Sequence, residues 1–195
     1  MPDWNKILNH PLFNVVFFVF VRQLTKAFHL DQPEYLWPLR FLYIASQLAI
    51  LALNFQLITQ VQKKNDTTIL RYVEPSKQNW DGSQEPEQLV NTTVMEYDVN
   101  EIKKQMKQGF IGIGMIAVMH WKFQYVQPLI LQAILGFKTF YSTKEARIHI
   151  WKESATGELR RPFKLQSPFG LMPESKQPKT DKGSIKKAER ARKAE

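Results

Sequence analysis

The sequence predicts an α-helical integral membrane protein with three to four short or broken membrane helices, a small cytosolic α+β portion and a basic C-terminal tail. The mean hydropathy of the 195 residues is polar, at −0.35, but the apolar residues are concentrated in residues 11–60 and 110–137. From residue 138 onward, ten Lys and five Arg stand against six Glu and one Asp, which is +8 of the formal net charge of +9. A basic segment that adjoins membrane helices is typical of the cytosolic side.

The central apolar stretch, residues 110–137, is interrupted in a way that predicts a broken membrane element. As one helix it would reach roughly 40 Å, which exceeds the hydrocarbon core of about 30 Å, yet it is too short for two full spans. Pro128 lies inside it and removes a helix hydrogen-bond donor. We interpret it as one near-complete crossing up to Tyr125, followed by a shorter piece that tilts, re-enters or partly crosses. The alternative is one long, tilted anchor with a proline kink.

Two further membrane helices are predicted near the N-terminus. Residues 11–28 form a short apolar helix, and the run 11–21 has the length of a signal-peptide core but no small-x-small cleavage site after it. A retained signal anchor is the alternative, and it gives the same topology. Residues 30–38 form a turn-rich connector with two prolines, and residues 40–60 form the second span.

Polar residues recur at helical spacing inside these spans. Arg40, Gln47 and Asn54 are seven residues apart and therefore share one stripe, and His120 and Gln124 occupy one face of the central helix. Polar groups in hydrocarbon are costly, so they face water or protein. Two explanations stay open here, a hydrophilic groove or hydrogen bonds between packed helices. The predicted groove residues are Arg40, Gln47, Asn54, His120, Lys122, Gln124, Gln127 and Gln132.

Small residues precede His120 in the central helix. They are Gly109, Gly112, Gly114 and Ala117. Small side chains let helices approach each other closely in a membrane, so we expect a helix–helix contact on this face.

The polar insert, residues 61–108, is predicted to fold into strands and a helix in the cytosol. Residues 67–73 and 89–97 are rich in β-branched and aromatic residues, as strands are. Asp98 followed by Glu101 resembles a capping box, and the helix that follows continues into the central element. The many Lys and Arg of the insert place it in the cytosol, so we expect its glycosylation sequons at Asn65 and Asn91 to be unused.

The C-terminal part is predicted to be soluble. Residues 146–152 alternate like a strand, and residues 158–164 are expected to pair with them as a hairpin. A Pro- and Ser-rich linker follows, and residues 184–195 form a short basic helix or a disordered tail. A charge run is usually only solvated, but contact with ribosomal RNA phosphates or anionic lipid is a second interpretation. The residues for that contact are Lys186, Lys187, Arg190, Arg192 and Lys193.

These assignments divide the chain into five parts. They are an N-terminal transmembrane helix pair in 1–60, the insert in 61–108, a broken or hairpin membrane element in 109–140, a cytosolic β-hairpin in 141–165, and a basic linker and tail in 166–195. If both the insert and the tail are cytosolic, the central element crosses and returns.

Motifs for catalysis are missing from the sequence. It contains no cysteine, no phosphate-binding glycine loop, no zinc-protease motif and no plausible Ser/His/Asp set. His120 has no carboxylate or second histidine near it and is a poor metal site. We therefore predict a protein that is not an enzyme and has neither a metal nor a cofactor.

Four soluble segments resemble a known fungal family. They are KNDTTILRYVEP in 64–75, TVMEYDVNEIKK in 93–104, SATGELRRPFK in 154–164 and PKTDKGSIKKAERARKAE in 178–195. In order and sequence they are similar to the Pho-eighty-eight family of inorganic phosphate transport proteins, also called component three of SRP-independent targeting.

The resemblance implies a multi-pass protein of the endoplasmic reticulum membrane. Its implied role is SRP-independent targeting and insertion of membrane proteins beside the Sec61 translocon, near a ribosome. We expect an insertase or insertion chaperone whose partners are Sec61, the ribosome, client transmembrane segments and membrane lipids. The alternatives are a structural adaptor that docks ribosome or translocon through its cytosolic parts, and an accessory of phosphate transport.

Overall fold

Helices account for most of the computed structural model, which describes residues 11–78, 82–165 and 177–194. The predicted linker is therefore described only in part, because residues 166–176 lie outside these ranges, as do residues 1–10 and 79–81. The chain forms two units by its contacts. The helical unit is Met1–Gln60 with Glu101–Lys152, and the sheet unit is Val61–Asn100 with Glu153–Glu195.

Four long helices supply the helical unit. Helix α1 is Pro11–Ala27, α2 is Pro33–Lys64, α3 is Val94–Phe123 and α4 is Gln127–Ser142, and the short α5, Lys144–His149, follows. The α2 helix starts earlier than the predicted second span, so the expected connector is shorter. Pro33 stands at its first residue, where no N–H partner is needed, and Pro38 lies inside it.

The long helices of this unit alternate in direction. Lys138 Nζ near the end of α4 donates to Asn14 Oδ1 near the start of α1, at 2.7 Å. Gln105 Nε2 on α3 donates to Glu145 Oε2 just after α4, also at 2.7 Å. Gln105 lies in the first half of α3 and Glu145 follows the end of α4, so this bond brings opposite ends of the two helices together. Helices α3 and α4 therefore form an antiparallel hairpin.

The break in the central element lies at residues 124–126. Gln124 has φ +51°, and its N–H bonds the carbonyl of His120 at 2.9 Å, which ends α3. Pro128 then occupies the first turn of α4, where its missing N–H costs nothing. The predicted interruption is therefore confirmed, and one continuous kinked helix is excluded.

Length and composition single out one helix as a membrane span. Within the described ranges, α2 is the helix long and apolar enough to cross a bilayer. The expectation of three to four membrane helices is thus supported for α2, and the crossing of the others stays a prediction.

The sheet unit is built on a two-stranded antiparallel sheet. Strand β1, Ile69–Glu74, pairs with β4, Gln88–Thr93, in the register Ile69 to Thr93. Between them, β2 (Lys77–Gln78) pairs with β3 (Gln84–Glu85). Both predicted strands exist, but the second ends four residues earlier than expected because α3 begins at Val94.

The capping box that starts α3 is not the one the sequence suggested. Glu96 N–H donates to Thr93 Oγ1 at 3.2 Å, and Glu96 Oε2 accepts from Thr93 N–H at 3.3 Å. That N–H and the hydroxyls of Thr92 and Thr93 lower the pKa of Glu96. Asp98 is instead a buried residue inside the helix, so the predicted cap of Asp98 with Glu101 is wrong.

The predicted β-hairpin of residues 146–164 is also wrong. Thr143 caps helix α5, because its Oγ1 accepts from Ala146 N–H at 3.3 Å. Gly157, at φ +58°, then opens a 3₁₀ turn, Gly157–Leu159. The alternation of residues 146–152 reflects one buried side of a short helix, with Ala146, Ile148 and His149 covered.

A buried ion pair joins the two chain segments of the sheet unit. Arg161 Nε donates to Asp98 Oδ1 and Nη2 to Oδ2, each at 2.6 Å, and the Asp98 side chain is 1% exposed. Two residues further on, Phe163 N–H donates to Tyr97 Oη at 2.7 Å, and the two rings pack at 5.4 Å. This contact pins residues 161–163 to the start of α3.

The C-terminal helix α6, Lys182–Ala194, packs against the same sheet. Lys179 forms a backbone bridge with Val73 on β1, and its Nζ pairs with Glu87 at 2.9 Å. Glu189 on α6 pairs with Arg71, which also donates to Asn91 on β4. The tail that the sequence left as helix or disorder is helical over these residues.

Removal of the Asp98 carboxylate should destabilise the sheet unit, because it breaks the buried ion pair with Arg161. Asp98→Ala leaves Arg161 without its partner in a buried setting and should lower the free energy of unfolding by about 3–5 kcal/mol. Chemical unfolding of the full chain in detergent measures this.

The matched control for Asp98 is Glu101→Ala. Glu101 pairs with Lys104 at 2.7 Å on the surface, and such a pair is worth less than about 1 kcal/mol. Equal losses in the two variants would contradict a stabilising role for the buried pair.

Candidate functional site

A cleft in the helical unit is the candidate site. It has a volume of about 310 Å³ and is lined by α2, α3 and α4, with the start of α5 at Thr143. Most of its lining is apolar, from side chains such as Leu51, Met106 and Phe140. The polar residues of the lining are Tyr43, Gln47, Asn54, Gln105, Gln132, Thr139 and Thr143.

Close packing of α2 on α4 forms one wall of the cleft. Gly136 is buried, and a Cβ placed on it would stand 2.6 Å from Cδ1 of Ile50. Glycine therefore lets the two helices approach more closely than any side chain would allow. The helix contact expected at Gly109, Gly112 and Gly114 is absent, since a Cβ on each would meet no described atom within 4 Å.

Several polar side chains of α2 bond the backbone of their own helix. Asn54 Nδ2 donates to the carbonyl of Ile50 at 2.8 Å, and Ser46 Oγ donates to that of Tyr43 at 2.7 Å. Such local bonds let a polar residue sit in an apolar helix. Gln47 has only a long contact, 3.5 Å, to Ser46 Oγ.

Two polar groups of the cleft lack partners in the described part of the chain. The hydroxyl of Tyr43 is fully buried and makes no hydrogen bond, and the residue as a whole is 6% exposed. The side-chain amide of Gln132, half-buried on α4, likewise bonds no described residue. The Tyr43 hydroxyl is therefore an unsatisfied buried group, whereas the half-buried Gln132 amide is open to a ligand in the cleft.

A hydrogen-bond chain closes the helical unit beside the 124–126 break. Arg40 Nε donates to His120 Nε2 at 3.0 Å, and His120 Nδ1 lies 2.9 Å from the carbonyl oxygen of Tyr125. Because a guanidinium can only donate, Nε2 accepts this bond, and Nδ1 is the ring nitrogen that can donate to the carbonyl of Tyr125. Arg40 also lies over the ring of Trp37, 5.5 Å from its centre.

The eight predicted groove residues therefore divide into three groups. Gln47, Asn54 and Gln132 line the cleft. Arg40 and His120 are hydrogen-bonded to each other and so join α2 to α3, but they do not line the cleft. Lys122, Gln124 and Gln127 follow outside it, with the first two exposed and Gln127 half-buried.

Some of the cleft residues that the sequence analysis did not predict had a partial signal in the sequence. Tyr43 lies between two members of the predicted α2 stripe, so its position on that helix was visible. Gln105, Thr139 and Thr143 carried no such signal, because α3 and α4 reach the cleft only through their packing. Gln105 is held there by Glu145, which is 1% exposed.

The basic tail residues lie on one side of α6. Lys182, Lys186, Lys187 and Arg190 are exposed, whereas Glu189, which pairs with Arg71, is half-buried. The outer face of this helix is therefore cationic over the described side chains. The predicted contact residues Arg192 and Lys193 lie outside those whose side chains the structure describes.

Comparison with known proteins identifies similar sequences over nearly the whole chain. The family described as phosphate transport (Pho88) matches residues 8–195. SRP-independent targeting protein 3 of Saccharomyces cerevisiae is 36% identical over 185 residues, which cover 94% of this chain and 96% of that protein. The SRP-independent targeting protein 3 homolog of Schizosaccharomyces pombe is 33% identical over 187 residues, with 95% and 94% covered. No solved structure matches.

The Arg40–His120 bond predicts energetic coupling between α2 and α3. Arg40→Leu and His120→Phe should each lower the free energy of unfolding by about 1.5–3 kcal/mol, the usual value for hydrogen bonds to charged groups. Because they share one bond, the double variant should lose less than the sum, by about 1 kcal/mol.

The coupling is measured from the unfolding of the four proteins in detergent, followed by tryptophan fluorescence. Lys122→Met, an exposed change near the same break, is the control and should leave stability unchanged. Additive losses would show that the two residues act separately.

Proposed function

This chain belongs to the Pho88 phosphate transport family, and on that premise we propose that it acts in SRP-independent targeting. Two of its relatives are named for that role. We place it in the endoplasmic reticulum membrane beside the Sec61 translocon. Its role there is non-enzymatic, that of an insertase or insertion chaperone for client transmembrane segments.

The observation that carries the proposal is the half-polar cleft between α2, α3 and α4. A client's polar flank that crosses hydrocarbon costs several kcal/mol for each group that loses its hydrogen bonds to water. Within the mostly apolar lining, Gln132 bonds no described residue and Gln47 has only one long contact, so both amides can bond a client. A flank that enters the cleft replaces hydrogen bonds to water with hydrogen bonds to these groups. The free-energy barrier to its crossing is therefore lower, and no nucleotide is required.

Helix length supports the same role. Helix α1 has 17 residues and α4 has 16, so each spans about 25 Å, less than the hydrocarbon core of about 30 Å. Short helices are accommodated by local thinning of the bilayer. With all four long helices in the membrane, a client flank would cross a shortened apolar path next to the cleft.

A structural adaptor is the second candidate, and the cationic face of α6 favours it. The exposed Lys182, Lys186, Lys187 and Arg190 face away from the sheet, with no acidic side chain among them. In this alternative they bind ribosomal RNA phosphates or anionic lipid, and the helical unit serves as an anchor.

Transport of phosphate by the cleft is the least favoured function. None of the residues that line it carries a charge, and an anion in an apolar site requires cationic or backbone N–H partners. Phosphate flux into vesicles that contain the purified chain alone would reverse this ranking.

The proposed topology puts both termini and residues 65–108 in the cytosol. A spacer with a glycosylation sequon, inserted after Asp31, should then be glycosylated in native membranes, whereas one inserted after Thr180 should not. The measurement is the glycosidase-sensitive mobility shift of each variant. The unmodified chain is the control, since Asn65 is exposed and would be glycosylated in the lumen. Modification of the Thr180 variant would overturn the return of the central element.

Replacing cleft amides distinguishes the insertase from the adaptor. Gln47→Leu with Gln132→Leu should lower client insertion in membranes severalfold, because the flank loses two hydrogen-bonding groups. Gln56→Leu, an exposed change on α2 outside the cleft, is the matched control. If Lys186→Gln with Lys187→Gln abolishes insertion while the cleft variant leaves it unchanged, the adaptor is the correct reading.

A further inference from the structure

We propose that the cleft selects client flanks that are polar but uncharged, and that flanks bearing Asp, Glu, Lys or Arg are not its substrates. This specificity rests on the proposed insertase function and names the class of segment that the site accepts.

The lining supplies the first argument, because it is neutral throughout. Its polar members are amides and hydroxyls, and no Asp, Glu, Lys, Arg or His of the described chain contributes to it. An ionised group placed in such surroundings loses its hydration and finds no opposite charge, which costs far more than burial of an amide or a hydroxyl.

Three charged residues on the elements that form the cleft, Arg40, Lys138 and Glu145, are already hydrogen-bonded. Arg40 donates to His120 and lies over Trp37, and Lys138 donates to Asn14. Glu145 accepts from Gln105. A charged flank would have to break one of these bonds to gain a counter-charge, whereas a neutral flank leaves them intact.

The unused groups in the cleft match a neutral polar partner. The Gln132 amide offers two donors and one acceptor oxygen, and the Gln47 amide offers the same groups with only one long contact to Ser46. Asn, Gln, Ser and Thr side chains, and an unpaired peptide group, present the same combination of donor and acceptor. The volume of about 310 Å³ is at the lower end for binding pockets, so the accepted segment is a few residues long.

The test uses the purified full chain in liposomes and one hydrophobic client segment with three flanks of equal length. The flanks are rich in Asn, Gln and Ser, in Asp, or in Lys. Protease protection gives the translocated fraction, and each value is divided by that in protein-free liposomes of the same lipid. This ratio removes the intrinsic difficulty of moving a charged flank.

The neutral flank should gain about fivefold or more from the protein, the factor for one additional hydrogen bond. The Asp and Lys flanks should gain little. Equal gains for all three flanks would overturn the selectivity and leave the insertase function standing. No gain for any flank would overturn the proposed insertase function itself.

A charge placed in the cleft should redirect the selectivity. Gln132→Lys is expected to raise the gain of the Asp flank and to lower that of the neutral flank, because the new ammonium supplies the missing counter-charge. Gln56→Lys, outside the cleft, should change neither ratio. If both variants and the unaltered chain give the same ratios of translocated fraction for every flank, the cleft does not determine the selectivity.

Discussion

The constraint on which the helical unit depends is that polar groups within an apolar helix assembly must find hydrogen bonds. Helix α2 meets it in part by itself, through bonds such as Asn54 to the carbonyl of Ile50. Arg40 and His120 meet it across helices, and their bond fixes α2 against α3. The carbonyl of Tyr125, freed where the central element leaves its helix, is satisfied by the same histidine. One hydrogen-bond chain thus supports both the packing and the break.

The cleft is the place where this constraint is left unmet. Gly136 brings α4 against Ile50 on α2, yet the hydroxyl of Tyr43 and the amide of Gln132 bond no described residue. Unsatisfied polar groups lower the stability of the fold, and a protein retains them where they bind a ligand or substrate. The proposed insertase function and its proposed preference for neutral flanks both rest on this one departure, because the available groups are hydrogen-bonding and uncharged.

The sheet unit follows a different physical rule. A two-stranded sheet buries little surface and is marginally stable alone, so it requires further contacts. Here Arg161 pairs with the buried Asp98, and Lys179 adds a backbone bridge to β1. The C-terminal helix then uses Glu189 on its sheet side, which leaves its lysines exposed. The described side chains of α6 therefore present a cationic surface, from Lys182 to Arg190, to an anionic partner.

The sequence by itself determined the four long helices, the two strands and the interruption before Pro128, because these follow from local periodicity, composition and proline, whereas it left the basic C-terminal residues open as helix or disorder. It misplaced the capping box and predicted a hairpin where Thr143 caps a helix, since competing local signals are resolved by burial. Only the tertiary structure decided which polar residues meet. Arg40 and His120 are 80 residues apart, and helical spacing gave each a face but not a neighbour. Contact between faces depends on helix rotation and direction, which close packing at Gly136 and the pairing of Gln105 with Glu145 set.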